Sequence, residues 1–268
     1  MQRFLFGLCL LLSLPALSQS DGWDFYLARF DKGPGSVLVD MSLLDRAPVK
    51  NLRAVVVTGV GFKNCNTEGL PEQDELTNLY RVSDSVEALI KHRGAYQLAG
   101  TFTYQCERLD YFYVSDTNQL RKKLQLLYKT RFPEYKPSIT IRLDTTWTLY
   151  RKFLYPSETI YEYMQNEKVL MALQKAGDSL TRARVVDHFF YFKTKEARSS
   201  FWIYASTYGF KLESQENTGD PVFPCKLHIS RMDKVDLKSI SEVTIVLRKE
   251  ARKYGGKYDG WETVLVRK

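Results

Sequence analysis

Twice along the chain, short β-branched and aromatic runs alternate with longer stretches of helical spacing, each time in the order strand, helix, strand, strand, helix, strand. The first pass runs from Arg53 to Asp144. "RAVVVTGVGF" reads as a buried strand. Residues 72–93 carry Leu76, Leu79, Tyr80, Val86, Leu89 and Ile90 at helical spacing, and Gly94 closes the helix. "AYQLAGTFTYQ" and "LDYFYVS" are two strands with a tight join, "TNQLRKKLQLLYKTRF" is a helix capped by Asp116 or Thr117, and "KPSITIRLD" is the last strand. The second pass has a strand at 184–193, a helix at 195–208, strands at 209–214 and 225–231, a helix at 236–254 and a strand at 258–267. Gly209 and Gly255-Gly256 stand where its helices must stop. This order is the split βαβ, ferredoxin-like arrangement. The expected fold class is α+β, with two tandem ferredoxin-like (βαββαβ) domains. The first, residues 22–156, adds an N-terminal hairpin, "WDFYLARF" and "SVLVDMSLL" about the turn Asp31–Gly35. The second, residues 157–268, adds a leading helix from Ser157 to Ala176, stopped by Gly177. Pro156 marks the boundary, and the repeat is one of topology, since the halves share negligible identity.

The N-terminus bears on compartment. "MQRFLFGLCLLLSLPALSQS" has one cation, Arg3, then an apolar run to Leu12, and ends in Ala16-Leu17-Ser18. This pattern predicts a signal peptide, residues 1–18, cleaved near Ser18, and a periplasmic or secreted product. The run is too short to span a bilayer, and no transmembrane segment is expected. Cys65, Cys106 and Cys225 then remain. With no CxxC, a structural zinc site is not expected, and an oxidising compartment allows one pair. In the ferredoxin-like arrangement the ends of the first two strands share one side of the sheet. Cys65–Cys106 is therefore the disulfide candidate, and Cys225 is left free. The formal net charge of +8 is spread along the chain, which reads as solvated helix faces.

"RVVDHFFYF", "ARSSFWIYASTYGF", "LHISR" and "ARKYGGKYDGWET" together resemble the family of the regulator of ribonuclease E activity, RraB, over residues 157–268. The YDGWE segment is the most specific of them. The resemblance implies a ferredoxin-like fold and a non-catalytic, protein-binding role. The founding member inhibits a cytoplasmic ribonuclease, which an exported chain does not meet. "WDFYLARF", "GLPEQDE", "LDYFYVSD" and "WTLYRKFLYP" in residues 22–156 resemble a bacterial domain family of unknown function often fused to such a module.

The chemistry-bearing residues are few. Neighbours on a strand face opposite ways, so Asp187 and His188 do not form one acid–base pair. His188 shares its face with Val186, Phe190 and Phe192 and belongs against the helices. Asp187 and His228, on the adjacent first and third strands of the fold, are expected to meet on the open sheet face. Such a pair is two-thirds of a nucleophilic relay or a satisfied polar pair, and no GxSxG or strand–Ser–helix elbow supplies a nucleophile. Tyr258, Asp259, Trp261 and Glu262 suit a protein-binding hot spot, with Trp261 under the helix 236–254 and Tyr258 and Asp259 at the rim. Gly59-Val60-Gly61 lacks the third glycine of a nucleotide loop, and His92, His188 and His228 lack zinc spacing, so no cofactor and no metal are expected. A nucleic-acid platform needs aromatics on both central strands, and "CKLHIS" has none. The expected function is an exported, non-catalytic, protein-binding regulator with a partner in the cell envelope. The alternatives are a hydrolase-like enzyme using Asp187 and His228, or a weak nucleic-acid binder.

Overall fold

The two passes of strand and helix fold as two units divided after Tyr155, in a computed structural model that describes residues 22–267. The expected signal segment 1–18 lies outside the described residues. The first unit comprises β1 (Trp23–Phe30), β2 (Gly33–Asp40), β3 (Ala54–Gly61), α1 (Gln73–Lys91), β4 (Tyr96–Tyr104), β5 (Glu107–Val114), α2 (Leu120–Arg131) and β6 (Lys136–Leu143). Its sheet runs β1-β2-β4-β5-β3-β6, antiparallel throughout. Without the hairpin this is the ferredoxin-like strand order, and β1–β2 extends it past β4.

Both faces of this sheet are covered. On one, Val56, Phe112 and Val114 pack with Leu79, Val82, Val86 and Ile90 of α1 and Leu124 and Tyr128 of α2. Across the other, the chain after β6 returns as a strap. The Trp147 ring stacks on Tyr113 at 3.8 Å, and the Tyr150 hydroxyl donates to the Asp40 carbonyl. Asp144 holds the start of the strap by accepting from the Tyr113 hydroxyl and from the backbone N–H groups of Thr148 and Leu149. Burial alone would raise its pKa, but these bonds keep it below the ordinary carboxylate value.

The second unit comprises α3 (Glu158–Lys175), β7 (Arg184–Phe192), α4 (Lys195–Ser206), β8 (Lys211–Asn217), β9 (Cys225–Asp233), α5 (Leu237–Lys253) and β10 (Gly256–Thr263). Its strand order, β10-β7-β9-β8, is again ferredoxin-like. Ser157, Thr194 and Asp236 cap α3, α4 and α5 through their side-chain oxygens. Phe190, Phe192, Leu227 and Ile229 meet Phe201, Ala205, Leu247 and Ala251 on the helix side. Among the described residues no helix covers the other face of this sheet.

Several local expectations are corrected. Neither Asp116 nor Thr117 caps α2. The cap is Gln119, at φ 53° with no side-chain bond, because the Asp116 carboxylate instead accepts from the Asn118 N–H in a turn of its own. The strand expected at 209–214 is displaced to Lys211–Asn217, and the last strand ends at Thr263 rather than 267. Cys106 does not end β4. With Gln105 it forms the two-residue β4–β5 turn, at φ 58° and 51°, the positive-φ geometry of a primed hairpin turn. There it bonds to Cys65 with 5.8 Å between Cα atoms, and its N–H donates to the Gly69 carbonyl. The bridge therefore need not cross β5. Cys225 is free and buried at the start of β9.

In the second unit, Asp178 and Arg184 form a buried ion pair whose chemistry also fixes the chain end. The Arg184 guanidinium donates to both carboxylate oxygens, and the Val266 N–H donates to the same carboxylate. The Arg184 bonds hold Asp178 well below the ordinary carboxylate value, against the opposing effect of burial.

Two outcomes follow for stability. The Cys65–Cys106 bridge spans 41 residues, so a Cys65→Ser/Cys106→Ser variant should lose about 3–4 kcal/mol in denaturant unfolding of the first unit. Asp178→Ala leaves a buried guanidinium unpaired and should cost the second unit about 3–5 kcal/mol. Because the native pKa of Asp178 is depressed, its contribution is present above the ordinary carboxylate pKa and is lost as pH falls below it. A pH series of melting curves should show the wild type losing this increment in acid while the variant does not.

Candidate functional site

On the open face of the second sheet three cross-strand rows span all four strands, and the exposed pair Val185–Met232 lies beyond them. Lys257, Tyr191, Lys226 and Glu216 form the first. Gly260, Phe189, His228 and Ser214 form the second, and Glu262, Asp187, Ser230 and Lys211 the third. Alternation along β7 and β9 sends Phe190, Phe192, Leu227 and Ile229 to the core and leaves the intervening side chains on this face. The expected meeting of Asp187 and His228 is present, diagonally between the second and third rows. His228 Nε2 lies 2.7 Å from Asp187 Oδ1, with side chains 24% and 26% exposed. The imidazole stacks on Phe189 at 4.6 Å.

This arrangement orients an imidazole but arms no nucleophile. The Ser230 hydroxyl donates to Glu213 at 2.6 Å and the Ser214 hydroxyl to Glu216 at 2.9 Å. Both neighbouring hydroxyls are thus committed to carboxylates, and among the described residues none bonds to His228. No cluster of three His, Cys, Asp or Glu suited to a metal ion occurs among the described residues.

The YDGW segment divides between surface and core, and the division corrects the placing of Tyr258 at the rim. Tyr258 pairs with Phe190 and Gly260 with the adjacent Phe189, so Asp259 is the extra residue of a β-bulge. Gly260, at φ 133°, supplies the backbone freedom this requires. The bulge shifts the alternation by one. Tyr258 and Trp261, three apart, both turn toward the helices, with only 3% and 9% of their surface exposed, while Asp259 and Glu262 remain outside. The Tyr258 hydroxyl is 2.9 Å from His188 Nδ1, and Trp261 Nε1 donates to Asn166 Oδ1 at 2.7 Å. The Asn166 amide donates in turn to Ser241 and Thr244. Glu162 on α3 pairs with Arg248 on α5, whose guanidinium lies over the Tyr258 ring at 5.2 Å.

A cleft of about 480 Å³ runs along β10 between these residues and α3, with Phe189, Asp259 and Glu262 among its walls. Glu162 and Asn166 escaped the sequence reading. Their signal was present, because two polar residues four apart on the inner side of a helix must find partners. Burial drives the His188 pKa down to about 3, helped by Arg231 and His228, and raises that of Tyr258 well above the ordinary value.

Comparison with known proteins divides the chain in the same place. The model of a family of unknown function, DUF695, matches residues 21–155. The model of the family RraB, regulator of ribonuclease activity B, matches residues 164–263. No curated protein matches the chain. Among solved structures, the crystal structure of an unknown protein from Galdieria sulphuraria aligns at 8% identity over 79% of this chain and 98% of that one. Its TM-score is 0.20, too low to bear on the fold. Among the described residues no helix is long and apolar enough to cross a membrane.

The bulge predicts opposite outcomes for adjacent residues. Tyr258→Ala should cost about 3–5 kcal/mol, as for other large buried aromatics. Asp259→Ala should stay within about 0.5 kcal/mol of the wild type. Chemical denaturation distinguishes them. The depressed His188 pKa adds stability above pH 6.5, the unfolded value, that is lost as pH falls toward 3. A His188→Phe variant should lack that part of the acid dependence in melting curves.

Proposed function

The chain belongs to DUF695, a family of unknown function, and from the chemistry of its RraB-like second unit we propose that it is an exported, non-catalytic regulator that binds a protein partner in the cell envelope. The observation that carries this reading is the bare sheet face of the second unit. The sheet of the first unit is covered on both sides, whereas here Phe189, Tyr191, Asp187, His228 and Glu262 face outward and, among the described residues, no helix lies across them. Half-exposed aromatics rimmed by charges are the composition of a docking surface. The RraB match supports a binding rather than a chemical role. A cytoplasmic ribonuclease is not proposed as the target.

Export is supported by the N-terminal sequence pattern and by the Cys65–Cys106 bridge, which persists in oxidising compartments. The 2.7 Å contact between Asp187 and His228 favours a second reading, a hydrolase-like activity. The absence of a hydroxyl bonded to His228 among the described residues weighs against it.

Crosslinked capture from the cell envelope tests the docking face. The wild type should enrich a discrete protein partner, and a folded Phe189→Ala/His228→Ala variant should lose it. Capture of the same partner by both would remove the bare face from consideration, and no enrichment by the wild type would reject the binding role. Hydrolysis of ester or peptide probes abolished by His228→Ala alone, in a variant that still captures the partner, would establish the second reading instead.

A further inference from the structure

The three rows of the bare face carry a gradient of charge. In the first, Tyr191 is flanked on its two sides by Lys257 and Lys226. The Lys257 ammonium lies 5.2 Å from the Tyr191 ring centre and 5.8 Å from that of Phe223, and Lys193 approaches the same Phe223 ring at 5.7 Å. Lys226 lies 5.4 Å from the ring of Phe189. Among the described residues none of these three ammonium groups forms an ion pair. Glu216 stands opposite Lys226 and Asp220 feels the charge of Lys257, so the three ammonium groups, held against rings, outnumber the carboxylates at this corner and leave it net positive for an anion. The second row is apolar and flat, built from Phe189 and the imidazole stacked on it. The third is acidic at its β10–β7 end, where Glu262 faces Asp187 directly, and carries Lys211 at its far end on β8.

Along β7 these rows are centred on Tyr191, Phe189 and Asp187. At roughly 3.3 Å per residue, the outer rows are about 13 Å apart. An extended chain laid along the face presents every second side chain to it, so its residues i, i+2 and i+4 meet the three rows in turn.

We propose that this face recognises an extended protein segment bearing a carboxylate, a flat or apolar group and a cation at positions i, i+2 and i+4. The carboxylate sits on the Lys193–Lys226–Lys257 corner, the apolar group on Phe189 and His228, and the cation on Asp187 and Glu262. The inference rests on the bare face being the docking surface and specifies what that surface reads. Charge complementarity selects a protein segment over a single-stranded nucleic acid. A uniformly anionic backbone crossing all three rows would place phosphates against Glu262 and Asp187, at a cost in repulsion. A peptide can change sign along its length.

The test is an NMR titration of the isotopically labelled full chain with three probes. The first is the peptide Gly-Ser-Glu-Ser-Tyr-Ser-Lys-Ser-Gly. The second has the same composition with its charges adjacent, Gly-Ser-Ser-Glu-Lys-Tyr-Ser-Ser-Gly. The third is an oligothymidylate. The first peptide should shift the amide signals of Asp187, Phe189, Tyr191 and His228 and bind at least about fivefold more tightly than the second, with affinity falling as salt rises. Lys226→Glu/Lys257→Glu and Glu262→Lys should each weaken it by about fivefold or more. Equal binding of the two peptides, no binding of the first, or indifference to both variants overturns the proposal. Tighter binding of oligothymidylate than of either peptide also overturns it and assigns the face to nucleic acid. Envelope capture separates this failure from that of the docking reading. A partner held equally by the wild type and by Lys226→Glu/Lys257→Glu, but lost by Phe189→Ala/His228→Ala, rejects the charge pattern and leaves the docking face standing.

Discussion

A sheet has two faces, and apolar side chains on either must be taken out of water. How each unit meets that constraint decides what it can do. In the first unit the outward residues of β5 are Tyr111 and Tyr113, both buried, so the second face demanded a cover. Asp144 supplies the means. By accepting from Tyr113 and from two backbone N–H groups just beyond β6, it folds the following segment over the sheet and seats Trp147 on Tyr113. In the second unit the corresponding side chains alternate charge with aromatic surface, and no strap is needed. A face that can stay in water as it stands is also one that can be given to a partner.

The helix side of the second unit shows how much polarity a core accepts when every member is placed. Asn166 is satisfied by Trp261, Ser241 and Thr244, and Glu162 by Arg248. Among the described residues His188 and Arg198 are exceptions: Arg198 Nε is buried without a partner, and His188 has Nδ1 bonded to Tyr258 but Nε2 buried without one. Its depressed pKa is the consequence, because an imidazolium would have to carry its charge among Phe190, Phe210 and Tyr258. The network joins α3 and α5 to β10. It thereby fixes the edge strand whose outer side chains, Glu262 among them, complete the bare face.

One extra residue sets the character of that edge. Without the bulge at Asp259, strict alternation would turn Tyr258 and Trp261 to opposite faces. With it, two large aromatics serve the core and two carboxylates remain at the surface. The YDGWE segment is therefore first a device for packing the edge strand, and of its side chains Asp259 and Glu262 are the ones available to a partner.

The element order, the ferredoxin-like class and the glycine stops were legible in the sequence because each follows from local periodicity and backbone preference. The likeness to the RraB family, which the family model matches over residues 164–263, was legible as well, since it rests on contiguous motifs. The opposition of Asp187 and His228 needed only the neighbouring of the first and third strands that this topology imposes. The rest depended on register. A bulge moves every later side chain to the other face, and nothing in the alternation of "KYDGWET" shows where the extra residue falls, although Asp-Gly within a strand is a signal of one. The α2 cap failed because two candidate oxygens compete, and the turn claimed one of them. The three rows of the bare face exist only where β7, β8, β9 and β10 are set side by side. Single residues from four segments spread over some seventy-five positions became one graded surface through cross-strand pairing, an interaction between partners distant in sequence.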